Sequence, residues 1–262
     1  MTTNDSSFKK WTGSTAIVTG GASGLGAATA RLLASLGLQV VVWDRDKTAG
    51  ERIASDIGGM FVGVDVADAS SVQGALAIVK EQVGDVRVLV NCAGIGRAAK
   101  TVSRGEAHDP ALFTSIVNVN LNGTFHCASQ VAAAMLSAEP LDTDGTRGVI
   151  VNTASVAAYD GQVGQIAYAA SKGGIVSMTL PMARDLADKG IRVCAIAPGL
   201  FETPLLKDLP DEARESIAGQ IPFPCRLGDP AEFATLVAHI INNSMLNGEV
   251  IRLDGAVRMA PR

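Results

Sequence analysis

Short apolar runs alternate with longer amphipathic stretches along almost the whole chain. The runs Thr15–Thr19, Gln39–Trp43, Met60–Val64, Val86–Val90, Gly148–Asn152, Ile191–Ile196 and Glu249–Arg252 read as strands. The stretches Gly24–Leu36, Lys47–Ile57, Ser70–Val83, Pro110–Ser137, Gln165–Lys189 and Pro230–Asn242 carry helical periodicity, with a kink expected at Pro181. Strands separated by helices argue for a parallel sheet with right-handed crossovers. The expected fold is therefore α/β: a Rossmann-type, doubly wound, seven-stranded parallel sheet with helices on both faces. Residues 1–262 form one domain, with a ligand crevice at the carboxyl ends of the strands. Two stretches break the rhythm on that side, Arg97–Asp109 and Phe201–Leu227, and are predicted substrate loops.

Composition narrows this picture. The chain is 47% hydrophobic but only 4% aromatic, so aliphatic side chains must fill the core, as buried parallel strands require. A net charge of −4 without a basic run argues against nucleic acid or an anionic membrane surface as partner. No apolar stretch is long enough to span a bilayer, and the polar N-terminal residues carry no signal- or transit-peptide pattern, so a cytoplasmic location is expected. Cys92, Cys127, Cys194 and Cys225 are widely spaced and form no CxxC, and the three histidines make no pair at ligand spacing. Reduced thiols and no metal are expected.

The strongest local signal lies between the first strand and first helix, at Thr19-Gly20-Gly21-Ala22-Ser23-Gly24-Leu25-Gly26. Gly20, Gly24 and Gly26 permit a tight turn and close backbone approach to a pyrophosphate resting on the helix N-terminus. Asp44, ending the second strand about 20 residues further on, is placed to take the adenosine ribose hydroxyls and would repel a 2′-phosphate. Ser23 offers no charge to such a phosphate, and Arg45 is expected to stack on adenine or face solvent. NAD is therefore favoured over NADP. Asp65 and Val66 end the third strand near the adenine, while Asn91, Cys92, Ala93 and Gly94 end the fourth at the level of the cofactor.

Tyr168 and Lys172 are four apart near the start of a long helix and share a face. A phenol is a poor base at neutral pH. A lysine one turn away, with a positive nicotinamide, is expected to lower its pKa. Ser155, just past the fifth strand, reaches the same crevice to bond the reacting oxygen. Asn120, within the preceding long helix, is expected to orient Lys172 through a water. Gln162 and Gln165, between Ser155 and Tyr168, are candidate donors to a substrate carbonyl, and Leu205 and Leu206 are candidate covers for an acyl chain. Lys100 and Arg104 are weaker candidates for phosphates on a substrate.

With these residues assembled, the chain resembles the short-chain dehydrogenase/reductase family from end to end. The matching motifs are Thr19–Gly26 (TGxxxGxG), Asn91–Gly94, Asn120, Ser155, Tyr168–Lys172 (YxASK) and Pro198-Gly199. The second half, over 152–193, 196–206, 222–234 and 246–259, is closer still to the branch of type-2 3-hydroxyacyl-CoA dehydrogenases. That resemblance implies an NAD-dependent homotetramer acting on 3-hydroxyacyl-CoA, with tolerance for steroids and other alcohols. It implies that Ser23, Leu25, Asp44, Asp65, Val66, Cys92, Tyr168, Lys172, Pro198, Gly199, Phe201 and Thr203 meet the cofactor. The apolar C-terminal tail (Ala256, Val257, Met259, Ala260) is expected to pack against a second subunit. The stretches 97–109 and 139–147 depart from that branch. A steroid or other alcohol dehydrogenase, a 3-oxoacyl carrier-protein reductase, and an idle NAD-binding scaffold stay open as alternatives.

Overall fold

The structure, a computed structural model, describes residues 6–203 and 218–261. Seven parallel strands form the central sheet: β1 (Thr15–Thr19), β2 (Gln39–Asp44), β3 (Met60–Gly63), β4 (Val86–Asn91), β7 (Gly148–Thr153), β8 (Ile191–Pro198) and β9 (Val250–Leu253). Their order is β3-β2-β1-β4-β7-β8-β9, so the direction of winding reverses between β1 and β4. Such a reversal opens a crevice at the carboxyl ends of the strands.

The strand residues sort alternately to two apolar layers, as a period of two demands. Val40, Val42, Val88, Val90, Val149 and Val151 face one layer, with Leu33 of α1 (Gly24–Ser35), Ile53 of α2 (Lys47–Ile57) and Phe233 and Val237 of α7 (Pro230–Asn242). Ile17, Val41, Trp43, Leu89 and Ile150 face the other, with Val72 and Val79 of α3 (Ala69–Gln82) and Val131 and Met135 of α5 (Gly123–Met135). Helix α6 (Ile166–Ala187) lies on this second side, where Ile175 packs on Ala195 and Ala197. No helix among the described residues is long and apolar enough to cross a membrane.

Two expectations need correction. The single helix expected over 110–137 is α4 (Pro110–Val117) followed by a π-helical turn (Asn118–Asn122) and then α5. Hydrophobic periodicity cannot register one widened turn, and such turns are frequent at functional sites. Helix α6 continues through Pro181, with buried Thr179 and Ala183 on either flank. Second, the 97–109 loop contains a small antiparallel hairpin, β5 (Val102–Ser103) and β6 (Glu106–Ala107). Its two turn residues, Arg104 and Gly105, take φ of 53° and 85°, the backbone a two-residue hairpin needs.

Within this chain the apolar tail is covered in part, with Ala256 and Ala260 left exposed. Val257 is fully buried with Ile221 and Leu227, and Met259 packs against that cluster. Polar contacts hold the tail in place. Arg252 bridges Asp160 and Asp254 at 2.7 Å each, Gln162 Nε2 donates to the Ala260 carbonyl at 2.9 Å, and Val163 N–H donates to the Pro261 carbonyl at 3.0 Å.

Arg192 on β8 is the cation that this architecture buries away from the crevice. Its guanidinium donates to the carbonyls of Ile240, Ile241 and Leu246 at 2.7–2.9 Å, satisfying the C-terminal end of α7. Replacing Arg192 with Met should leave those carbonyls unpaired and destabilise the fold by about 2–4 kcal/mol, read as a lower urea midpoint.

Candidate active site

The crevice occupies about 970 Å³ along the carboxyl ends of β1, β2, β4, β7 and β8. At one end lies the glycine turn. A Cβ on Gly20 would sit 2.7 Å from the Ala93 nitrogen, and one on Gly26 would sit 2.1 Å from the Gly20 oxygen, so neither position tolerates a side chain. Gly20 and Gly24 also hold positive φ. Ser23, the N-cap of α1, makes no side-chain capping bond, which leaves the first amides of the helix directed at whatever occupies the turn.

Asp44 closes this end. One carboxylate oxygen accepts from Ala22 N–H and the other from Asp46 N–H, both at 3.0 Å. Each oxygen retains a lone pair for a ligand hydroxyl, and the pair of amides fixes the carboxylate toward the turn. Arg45 faces solvent, with its guanidinium 3.7 Å from the Asp65 carboxylate. That neighbour offsets the positive charge that would otherwise favour a 2′-phosphate. Asp65 also accepts from Ala67 N–H at 3.0 Å, while Asp68 caps α3. Glycines and donors thus fit a dinucleotide with free ribose hydroxyls.

A buried polar ladder holds the middle of the crevice. Asn91 Nδ2 donates to Asn152 Oδ1 at 2.9 Å, and Thr19 Oγ1 accepts from Ala93 N–H at 3.1 Å. Cys92 sits beside them, its thiol pushed up to about 11 by burial, so it is a packed neutral group. Cys127 is pushed up to about 12 for the same reason.

At the far end Ser155, Tyr168 and Lys172 converge. Ser155 caps the short 3-10 turn Val156–Ala158 with its hydroxyl, accepting from Ala157 N–H at 3.1 Å. Lys172 is buried and donates from Nζ to the Thr153 carbonyl at 2.7 Å, with Nζ 5.8 Å from the Tyr168 ring centre. Burial pushes its ammonium down to about 8. The expected lowering of the tyrosine is absent here: burial raises the Tyr168 phenol, and the Ser155 hydroxyl only opposes this. Desolvation outweighs a lysine whose nitrogen is turned to a backbone carbonyl.

Asn120 stands in the π-helical turn, and its Oδ1 and Lys172 Nζ both flank Gly94, 3.3 and 3.6 Å from where a Cβ would sit there. Its Oδ1 accepts from Ile95 N–H at 2.8 Å, and its Nδ2 donates to the Ile95 carbonyl at 2.9 Å and to Ser171 Oγ at 3.1 Å. The side chain therefore braces the loop after β4 against α6, one residue before Lys172. Gln162 and Gln165 line the crevice and are linked, Gln165 Oε1 accepting from Gln162 N–H at 3.0 Å. Pro198, Gly199, Phe201 and Thr203 line the wall from β8, with the Phe201 ring pressed on Gly228. Ser23, Leu25, Val66, Ala93 and Gly94 also face the crevice. Leu205 and Leu206 lie outside the described residues.

Lys100 and Arg104 do not line the crevice; Arg97 and Gln220, from the two predicted substrate loops, and Met259, from the tail, do. The irregular stretches 97–109 and 201–227 point to the substrate side, but no local pattern singles out these three side chains. Arg97 had one usable signal, its place just past the strand-end motif Asn91–Gly94.

The fold and this crevice define a class. The short chain dehydrogenase family matches residues 14–214, and the chain belongs to that family of oxidoreductases. Its curated relatives include the 3-hydroxyacyl-CoA dehydrogenase type-2 of Bos taurus, 56% identical over 253 residues, which covers 95% of this chain and 97% of the relative. The crystal structure of 3-hydroxyacyl-CoA dehydrogenase type-2 from Mycobacterium avium superposes with a TM-score of 0.93 at 43% identity, covering 99% of this chain and all of the other. A 3-oxoacyl-acyl-carrier-protein reductase of Thermotoga maritima is more distant, 35% identical over 252 residues, 94% of this chain and 98% of that one.

Two measurements test the electrostatics. Lys172 has a folded pKa near 8, below the 10.5 of an exposed lysine. Below pH 8 both states are protonated and burial costs stability; the cost disappears as pH rises from 8 to 10.5, because the unfolded state then binds more protons. Urea unfolding of wild type against Lys172→Met should show wild type gaining on the variant by a few kcal/mol across that window. Thiol labelling near pH 8 should modify exposed Cys225 first and leave Cys92 and Cys127 unmodified until the protein unfolds.

Proposed function

We propose that this protein is an NAD-dependent 3-hydroxyacyl-CoA dehydrogenase, interconverting a 3-hydroxyacyl thioester and its 3-oxo form. The observation that carries the chemistry is the convergence of Ser155, Tyr168 and buried Lys172 at one end of a crevice whose other end is a glycine turn facing Asp44. The substrate rests on identity above 50% to enzymes named for it, over 95% of the chain.

NAD, when bound, accepts a hydride from the alcohol carbon or returns it to the ketone. The protein's own residues manage the oxygen and its proton. Ser155 Oγ holds the reacting oxygen beside Tyr168 Oη, which takes the hydroxyl proton in oxidation and donates it in reduction. Lys172 lies one turn along and adds positive charge that favours the phenolate, as does the nicotinamide during oxidation. Asn120 positions this pair through Ser171 and Ile95. Gln162 and Gln165 each keep an amide hydrogen for the thioester carbonyl. Asp44 selects NAD by accepting from the ribose hydroxyls.

We further infer a homotetramer. The exposed apolar side chains Phe113, Phe125, Leu136, Ile166 and Leu180 lie along α4, α5, the turn after α5, and α6. Such a surface suits a closed symmetric contact. Sedimentation should give a mass near four chains.

Acetoacetyl-CoA should oxidise NADH readily. Background rates with it, beside fast turnover of a steroid or simple alcohol, would redirect the assignment within the family. Tyr168→Phe should lower kcat by about 10²–10⁴-fold with the fold intact. Asp44→Ala should erase the preference for NADH over NADPH, measured as the ratio of kcat/KM values.

A further inference from the structure

We propose that Arg97 is a specificity residue that recognises an oxyanion on the substrate, a phosphate of the CoA moiety or a carboxylate. The proposal rests on the acyl-substrate reading above and adds what the substrate must carry.

Three cationic side chains among the described residues line the crevice: Arg45, Arg97 and Lys172. Two of them are committed. Arg45 faces Asp65 at the cofactor's adenine end, and Lys172 is buried against the Thr153 carbonyl. Arg97 is exposed and makes no hydrogen bond or ion pair with any described residue. Arg52, Arg104 and Arg184 are likewise unpaired among the described residues, yet none of them lines the crevice. Most other arginines are used, on carboxylates (Arg31, Arg226, Arg252, Arg258) or on backbone carbonyls (Arg87, Arg147, Arg192).

The backbone carrying Arg97 is held at both ends. Ile95 is bonded through its N–H and its carbonyl to Asn120, and Ala99 N–H donates to the Gly164 carbonyl at 2.8 Å. Between them, Gly96 lies against the Tyr168 ring, where an added Cβ would sit 3.6 Å from Cδ2. Arg97 follows directly. Its guanidinium is thus presented from a pinned segment beside the reacting tyrosine, not from a loose surface loop. Ser155, Gln162, Gln165, Gln220 and Met259 line the same crevice and are uncharged, while its carboxylates, Asp44 and Asp65, are engaged by the amides of Ala22, Asp46 and Ala67 and by Arg45. A planar guanidinium is suited to bidentate oxyanion recognition.

The test uses Arg97→Met and Arg97→Lys in the full-length enzyme with three substrates and NADH. Acetoacetyl-CoA carries phosphates, acetoacetate carries a carboxylate, and the N-acetylcysteamine thioester of acetoacetate carries no charge. Arg97→Met should raise KM about tenfold, the scale of one charge-assisted hydrogen bond, for a charged substrate. It should leave KM for the neutral thioester, kcat and the NADH Kd unchanged, and the lysine variant should recover part of the loss. A rise confined to acetoacetyl-CoA identifies a phosphate; a rise confined to acetoacetate identifies a carboxylate. The wild-type KM for that substrate should also climb with salt, and the variant's should not. An equal rise for the neutral thioester, a weakened NADH Kd, or no change with any substrate overturns the proposal. Failure of wild type to reduce acetoacetyl-CoA, with acetoacetate reduced and sensitive to Arg97, sinks the acyl-CoA reading and leaves the role of Arg97 standing. Turnover of none of the three overturns both.

Discussion

Burial of the sheet on both faces is the constraint from which the rest follows. Val42, Val90 and Val151 point into one helical layer while Trp43, Leu89 and Ile150 point into the other, so no face of the sheet is open to water. Polar groups leave this core at the carboxyl ends of the strands, where the ladders stop and side chains such as Thr19, Asp44, Asn91 and Thr153 emerge. Parallel strands put all of these ends at one edge. The reversal of winding between β1 and β4 then parts the neighbouring connections and leaves room for a ligand.

Lys172 shows what that edge does. An ammonium ion is costly to bury, and here the cost is offset at one point, the carbonyl of Thr153 at the end of β7. Holding Lys172 there fixes how α6 lies over the sheet, and with it Tyr168 one turn earlier and Ser171 beside the lysine. Asn120 completes the arrangement from the opposite side by bonding both Ser171 and Ile95. The widened π turn that carries Asn120 breaks helical regularity where a buried amide must make three bonds at once.

The electrostatics divide the crevice. At the glycine-turn end, Asp44 is oriented by two amides and Arg45 lies near Asp65, the arrangement on which the proposed preference for NAD rests. At the catalytic end the unliganded site holds a phenol raised by burial and a lysine lowered by burial. Both shifts favour neutral forms, so a positive nicotinamide alongside tilts the balance toward phenolate. The tail adds a third element, since Met259 enters the crevice only because Arg252, Gln162 and Val163 tie residues 252–261 to the segment joining Ser155 and Tyr168.

Most of the fold was legible in the chain itself. Seven apolar runs separated by amphipathic stretches specify a parallel sheet, because residues buried on two faces must be apolar at every position. The glycine turn, Asp44, Ser155 and the Tyr168–Lys172 pair were legible as well, because each answers a local demand: positive φ, a strand end, or one helical turn. Other features depend on contacts between residues far apart in sequence, which no local period encodes. The Asn120 brace, the π turn, the Arg45–Asp65 approach and the contacts of the tail within its own chain are of this kind. So is the direction of the Tyr168 shift, decided by how much water the packed crevice excludes. Arg97 illustrates the boundary best: the sequence shows an arginine in an irregular loop, and only the tertiary structure pins that loop beside Tyr168 and leaves the charge unanswered.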